Sequence, residues 1–243
     1  MIIFKVILLC FFFITPVKAN TIYNLIKIPN LEIYEINTKN KLRYLFAAKP
    51  FKLGVNVIKN IHCFDTNKKT LDKKYKIINK NLNRYSSDFL KRINLKYIVL
   101  CEDLSVAQIS TAGIPNNITR TLILNIKFNE AYFERAIHHE VFHIIKDSYK
   151  DLFNETDWKN FNKKNFEYSE CSTCNNKWNL NTYNKTKGFL TEYSKSTPSE
   201  DMAEIFSHLI FYQDKIYNDD PIIEKKIIFI KKNILMIDNT FRF

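Results

Sequence analysis

Glycine is scarce in this chain of 243 residues: there are 3. Gly54, Gly113 and Gly188 are too far apart to form a G-x-G spacing. That excludes a Rossmann-type dinucleotide fingerprint, and the low count excludes collagen-like and glycine-linker architectures. No Pro- or Ser-rich linker divides the chain, and no internal repeat is visible. Acidic residues are also under-represented, at 25 Asp+Glu against 37 Lys+Arg, for a formal net charge of +12. Disorder is excluded by a hydrophobic fraction of 46% beside a charged fraction of 26%. A chain of this length forms one large domain or two small ones, and buries a core without needing disulfide staples. The positive balance suits a nucleic-acid or other anionic partner. The excess of Lys, Ile and Asn is equally what an AT-rich coding sequence produces, with no functional meaning.

Long apolar runs are confined to the start. One cation, Lys5, precedes the apolar stretch Val6–Thr15, and Pro16-Val17-Lys18-Ala19 ends it on a small residue. That is the layout of a secretory signal peptide over residues 1–19, cleaved after Ala19. A membrane span needs about 20 apolar residues, more than are present, so a retained anchor is the lesser reading and no stable membrane insertion is expected after cleavage. Removing residues 1–19 takes away Lys5 and Lys18 and no acid, leaving a net charge of +10. The mature protein is therefore expected to be secreted or periplasmic. Four cysteines remain, Cys63, Cys101, Cys171 and Cys174, and they allow three pairings. Cys63–Cys101 with Cys171–Cys174 is preferred because the second pair is local, and an oxidising compartment favours both bonds.

Residues 20–90 mix short apolar runs with Lys/Asn-rich turns and read as an N-terminal α+β segment of undefined role; residues 91–243 read as a second domain, which holds the motifs described below. Tyr97–Cys101 and Thr121–Ile126 have the β-branched composition of buried strands, and Gly113-Ile-Pro-Asn-Asn117 reads as a turn between them. From Glu130 to about Tyr149 neither Gly nor Pro occurs, and Phe133, Ile137, Val141, Ile144 and Ile145 recur at helical spacing. A long ordered loop is expected over 150–187, with Trp158, Phe161, Phe166 and Trp178 as its anchors. A second helix should run from Pro198 to Tyr212. A third, over Ile222–Ile237, should pack an apolar face on the core, with a membrane-surface role as the lesser alternative.

Within the first long helix stands His138-His139-Glu140-Val141-Phe142-His143. His139 and His143 are four apart and so leave one face of a helix, one turn above the other. That spacing lets both imidazoles reach one tetrahedral zinc ion through bonds of about 2.0–2.1 Å. Glu140 then lies beside the metal without binding it, where its carboxylate can take a proton from an activated water and return it to a leaving amine. H-E-x-x-H is the signature of zinc metallopeptidases, although a helix with surface histidines can match it by chance. His138 points about 100° away, to a surface or supporting position. His62 and His208 have no partners evident in sequence, and a surface position is expected for His208.

The second helix reads Thr197-Pro198-Ser199-Glu200-Asp201-Met202-Ala203-Glu204. Glu200 and Glu204 again share a face, opposite Met202, Phe206 and Leu209. One can supply a zinc carboxylate and the other an acceptor for a ligand imidazole N–H. Thr197–Glu200 also fits a capping box with Pro at the first helical position, which needs no metal. The HExxH helix upstream tips the reading toward the metal.

HExxH followed by a Glu on a later helix resembles the gluzincin layout of zinc metallopeptidases. Gly188-Phe-Leu-Thr-Glu-Tyr193 followed by Glu200-Asp-Met-Ala-Glu204-Ile-Phe206 is similar to the lethal-factor-type catalytic domain and related bacterial zinc peptidases. There a Tyr stands seven residues before the ligand Glu, as Tyr193 stands before Glu200. The resemblance covers residues 119–212. It implies an α+β zincin-like fold, one Zn2+ ion held by His139, His143 and Glu200, Glu140 as general base, Tyr193 as hydroxyl donor to the oxyanion, and Glu204 as support for a ligand. Phe142 departs from the pattern, since a smaller residue often precedes the second His.

The expectation is thus an exported zinc-dependent peptidase acting on peptide or protein substrates, with no nucleic-acid partner. One rival is the same chemistry in a host-directed toxin or effector of narrow specificity. The other is a non-enzymatic secreted protein whose basic surface binds anionic polymers or membranes.

Overall fold

The structure, a computed structural model, describes residues 30–54, 60–169, 171–172, 179–182, 186–212 and 219–243. The signal-peptide expectation over 1–19, Cys174 and Trp178 lie outside them.

The chain enters as strands β1 (Leu31–Glu35), β2 (Arg43–Ala47), β3 (Phe51–Gly54) and β4 (Asn60–Phe64), followed by helices α1 (Lys68–Leu82) and α2 (Ser87–Arg92). Strands β5 (Tyr97–Val106), β6 (Ile109–Ser110), β7 (Gly113–Asn116) and β8 (Thr121–Asn125) come next. Helices α3 (Glu130–Ser148), α4 (Glu155–Lys159), α5 (Pro198–Tyr212) and α6 (Pro221–Ile237) complete an α+β architecture.

β5 organises the sheet. Its first half pairs in parallel with β2 and β8, and its second half pairs antiparallel with β4 and β6. Between the halves Asp103 takes a left-handed φ of 48°, where the strand changes neighbours. The pairing of β2 with β5 puts strands from residues 20–90 and from the later chain into one sheet. Parallel strands covered on both faces carry continuous apolar runs. Here Tyr44, Ile98, Leu100, Leu122 and Leu124 face the helical core, while Leu45, Ala47, Val99, Cys101 and Ile123 face a second cluster with Phe51, Ile61 and Cys63. A Cys63–Cys101 disulfide ties β4 to β5 within that cluster, across a Cα–Cα distance of 5.8 Å. Cys171 is disulfide-bonded as well.

Gly113–Asn116 is a strand, not the expected turn. It pairs antiparallel with β8 along one side, and the turn falls at residues 117–120. Pro115 fits because it lacks a donor, and an edge strand can leave that backbone position unpaired. The other elements follow their local signals. Asn129 caps α3 by accepting from the Ala131 amide at 3.0 Å, and Asp220 caps α6 ahead of Pro221. Phe142 is fully buried between Phe153 and Phe206, so the bulky residue before His143 fills the α3–α5 seam. Trp158, on the short helix α4 within the stretch expected to be a loop, is buried and donates to Asp201 Oδ2 at 2.8 Å, anchoring that helix on α5.

The Cys63–Cys101 bond closes a loop of sequence separation 38. Replacing both cysteines by Ala should cost about 3–4 kcal/mol in denaturant-induced unfolding by the loop-entropy relation. A loss below about 1 kcal/mol would show that the packing of the second cluster does not depend on it.

Candidate metal centre

α3 runs beneath the sheet with its apolar face buried, and its middle turn holds a polar set: Arg135, His138, His139, Glu140 and His143. α5 crosses it, and its first turn begins where the Thr197 hydroxyl accepts from the Glu200 amide at 3.2 Å, part of the predicted capping box. Glu200 and Glu204 leave the side of α5 that faces α3.

Three ligand-type atoms converge there, all within 4.8 Å of one another: those of His139, His143 and Glu200. His139 Nε2 lies 2.8 Å and His143 Nε2 3.2 Å from Glu200 Oε2, and the two Nε2 atoms are 3.2 Å apart. A tetrahedral ion with bonds of about 2.0–2.1 Å separates its ligand atoms by roughly 3.3 Å, close to this spacing. The far side of each ring is also provided for. His139 Nδ1 faces Glu204 Oε1 at 2.9 Å, and His143 Nδ1 faces Ser199 Oγ at 3.3 Å. With Nδ1 engaged as donor, each Nε2 can present its lone pair to the shared point, as zinc-ligating histidines do. The donor set fits zinc.

Electrostatics agree. Burial disfavours charge on His139, yet its hydrogen bonds to Glu200 and Glu204 outweigh that and raise its pKa to about 10. Burial likewise opposes ionisation of Glu200, but His143 and His139 hold it well below the ordinary carboxylate range. The pocket therefore selects for positive charge, which a proton on Nε2 or a metal ion can supply.

Glu140 is buried beside this point, and burial raises its pKa against the pull of the His139 and His143 rings. Its side chain packs on β7. A Cβ added at Gly113 would come within 2.8 Å of Glu140 Cγ and 2.9 Å of the Ile123 carbonyl oxygen. Glycine is required here by close approach rather than by backbone conformation. The Tyr193 ring stands 5.9 Å from that of His139 at an interplanar angle of 37°. Burial first, then the carboxylates of Glu200 and Glu140, hold its hydroxyl well above the normal range, so it stays protonated. Tyr193, His139 and Glu140 line a cavity of about 760 Å³ whose other walls include Tyr132 and Ala136 of α3 and the β5–β6 hairpin. At the tip of that hairpin Ala107 and Gln108 both take positive φ, 50° and 67°.

Glu204 accepts from His139 through Oε1; its Oε2 accepts from Arg135 Nη1 and, at 2.8 Å, from Thr191 Oγ1. Arg135 and Thr191 were not among the expected residues. Arg135 could have been found, since it lies four residues before His139 and shares its face. Two histidines differ from expectation. His208 is buried rather than exposed: Nδ1 donates to the Glu204 carbonyl at 2.7 Å, Nε2 faces Thr182 Oγ1 at 3.1 Å, and burial with the nearby Arg135 lowers its pKa to about 4. His138 is buried away from the metal centre, between Tyr85 Oη at 2.7 Å and Asn81 Oδ1 at 3.0 Å, with burial lowering its pKa to about 3.

Residues 116–226 match the model of a protein family described as "Putative zinc-binding metallo-peptidase". A search among curated proteins found no match. The matched stretch spans the end of β7, all of α3, the loop with Tyr193, and α5. The convergence of His139, His143 and Glu200 within that stretch fits a HExxH-type zinc site, so residues 116–226 are similar to that zinc-binding metallopeptidase family in both sequence and site geometry.

Proposed function

We propose that the protein is an exported zinc-dependent peptidase in which His139, His143 and Glu200 hold one zinc ion and Glu140 is the general base. The convergence of those three side chains at the α3–α5 crossing carries the reading. Bound there, zinc would act as a Lewis acid toward a peptide carbonyl and would acidify a water.

Glu140 suits proton transfer, because its carboxyl is buried with a raised pKa and is held in place by the backbone of β7. It takes the proton from the attacking water and delivers it to the departing amine. Tyr193 keeps its hydroxyl proton and donates a hydrogen bond to the oxyanion as it develops. Glu204 fixes the His139 ring through Nδ1. Among the described residues β7 pairs only with β8, which leaves its other edge to align an extended peptide, and the adjoining cavity of about 760 Å³ receives a side chain. In this reading residues 91–243 carry the chemistry, and strands β1 to β4 of the preceding segment complete the sheet behind it.

Export rests on the signal-peptide layout of residues 1–19. The Cys63–Cys101 disulfide suits an oxidising compartment, and no helix among the described residues is long and apolar enough to cross a membrane.

Glu140→Gln should lower the rate of peptide cleavage by about 10²–10⁴-fold at unchanged zinc content, read by mass spectrometry on a mixed peptide library. Full activity in that variant would contradict the role of Glu140. Gly113→Ala should push Glu140 out of place, lowering cleavage at least tenfold and stability by about 1–3 kcal/mol through overpacking. Wild-type cleavage by this variant would show that the contact between β7 and Glu140 is not needed.

A further inference from the structure

Arg135 leaves α3 one turn before His139, on the same face, and is 5% exposed. Its two terminal nitrogens serve two different elements. Nη1 donates to Glu204 Oε2 on α5, and Nη2 donates to the Leu180 carbonyl at 2.6 Å. The Tyr132 ring lies 5.8 Å from the guanidinium carbon, and the Tyr132 hydroxyl donates to Asn181 Oδ1 at 2.6 Å beside it.

Two of the contacts of Arg135, those with Glu204 and with the Leu180 carbonyl, lead to groups at the candidate metal centre. With Arg135 and Thr191 both donating to Oε2, Glu204 turns its other oxygen, Oε1, toward His139 Nδ1 at 2.9 Å. A carboxylate left without those donors could rotate or accept from its neighbours in another way, and the His139 ring would lose the partner that orients it. On the other side, the residue before Leu180 offers its carbonyl to the Tyr193 amide: the Tyr193 N to Asn179 O distance is 3.3 Å.

We propose that Arg135 is a positioning residue for the metal centre, orienting His139 through Glu204 and Tyr193 through the 179–180 backbone. The inference rests on the zinc reading above. A lysine cannot duplicate the arrangement, because the two acceptors lie on separate elements and the planar guanidinium reaches both at once. The competing account is that Arg135 only ties α3 to α5 as a buried ion pair, in which case its loss would lower stability without altering the bound metal.

The test is zinc affinity, measured by chelator competition on wild type, Arg135→Lys, Arg135→Gln and Arg135→Ala. It is read beside the visible spectrum of the cobalt-loaded proteins and the melting temperature of the metal-free ones. Alanine and glutamine should weaken zinc binding about tenfold, the low end of the loss from removing a direct partner of a ligand because Arg135 acts one step further out, and should change the cobalt bands. Lysine, keeping the cation but serving one acceptor, should fall between them and wild type. If alanine prevents folding, the glutamine variant decides by the same criteria. Zinc affinity within twofold of wild type, with an unchanged cobalt spectrum, overturns the proposal whatever happens to the melting temperature. A wild-type protein that binds no zinc overturns the metal reading and this proposal with it; a wild type that binds while the variants match it overturns this proposal alone.

Discussion

Everything at the centre of this molecule depends on two helices presenting paired polar residues to each other at the same spacing. α3 offers His139 and His143, and α5 offers Glu200 and Glu204, each pair four residues apart and so on one face. The pairs interlock: Glu200 meets both imidazole Nε2 atoms, while Glu204 reaches behind to His139 Nδ1. Two carboxylates and two imidazoles are thereby withdrawn from water, which is costly unless charge and hydrogen bonds are matched. Arg135 matches the negative pair on one side, and a cation among the Nε2 atoms would match it on the other. The crossing of α3 and α5 must therefore be rigid, and Phe142 with Phe153 and Phe206 fills the seam beside it.

A second buried charge pair secures α5 from behind. Asp201 follows Glu200 directly and so leaves the helix about 100° away. Lys226 of α6 donates to Asp201 Oδ2 at 2.6 Å and to the Gly188 carbonyl at 2.7 Å, and Trp158 and Tyr168 donate to the same carboxylate oxygen. Both side chains of the pair are 0% exposed. Replacing such a pair with apolar residues is often neutral for stability; here it ties the start of α5, the turn that carries Glu200, to α6. On the far face of the sheet the Cys63–Cys101 bond holds the β3–β4 hairpin against β5, away from the site.

What was legible in the sequence was local. Four-residue spacings, a proline at a helix start and an unbroken run without Gly or Pro are read within one element, and they located α3, α5 and the polar residues on their faces. The disulfide between β4 and β5 was legible because pairing Cys171 with its near neighbour leaves Cys63 for Cys101. What failed depended on tertiary surroundings. Gly113 and Pro115 signal a turn locally, yet the sheet edge accommodates Pro115, and the carboxylate of Glu140 demands Gly113. His208 and His138 carry no sign in sequence of the partners that bury them. Arg135 was in plain view at helical spacing, but its role shows only once Glu204 and Leu180 are seen to converge on it.

The central claim is that one metal ion occupies the point shared by the three ligand side chains. Metal analysis of the purified protein tests it most directly, run beside a His139→Ala/His143→Ala double variant at neutral pH without chelator. The account predicts about one zinc per chain in the wild type and close to none in the variant. A wild-type ratio near zero, or an equal ratio in both proteins, would contradict it.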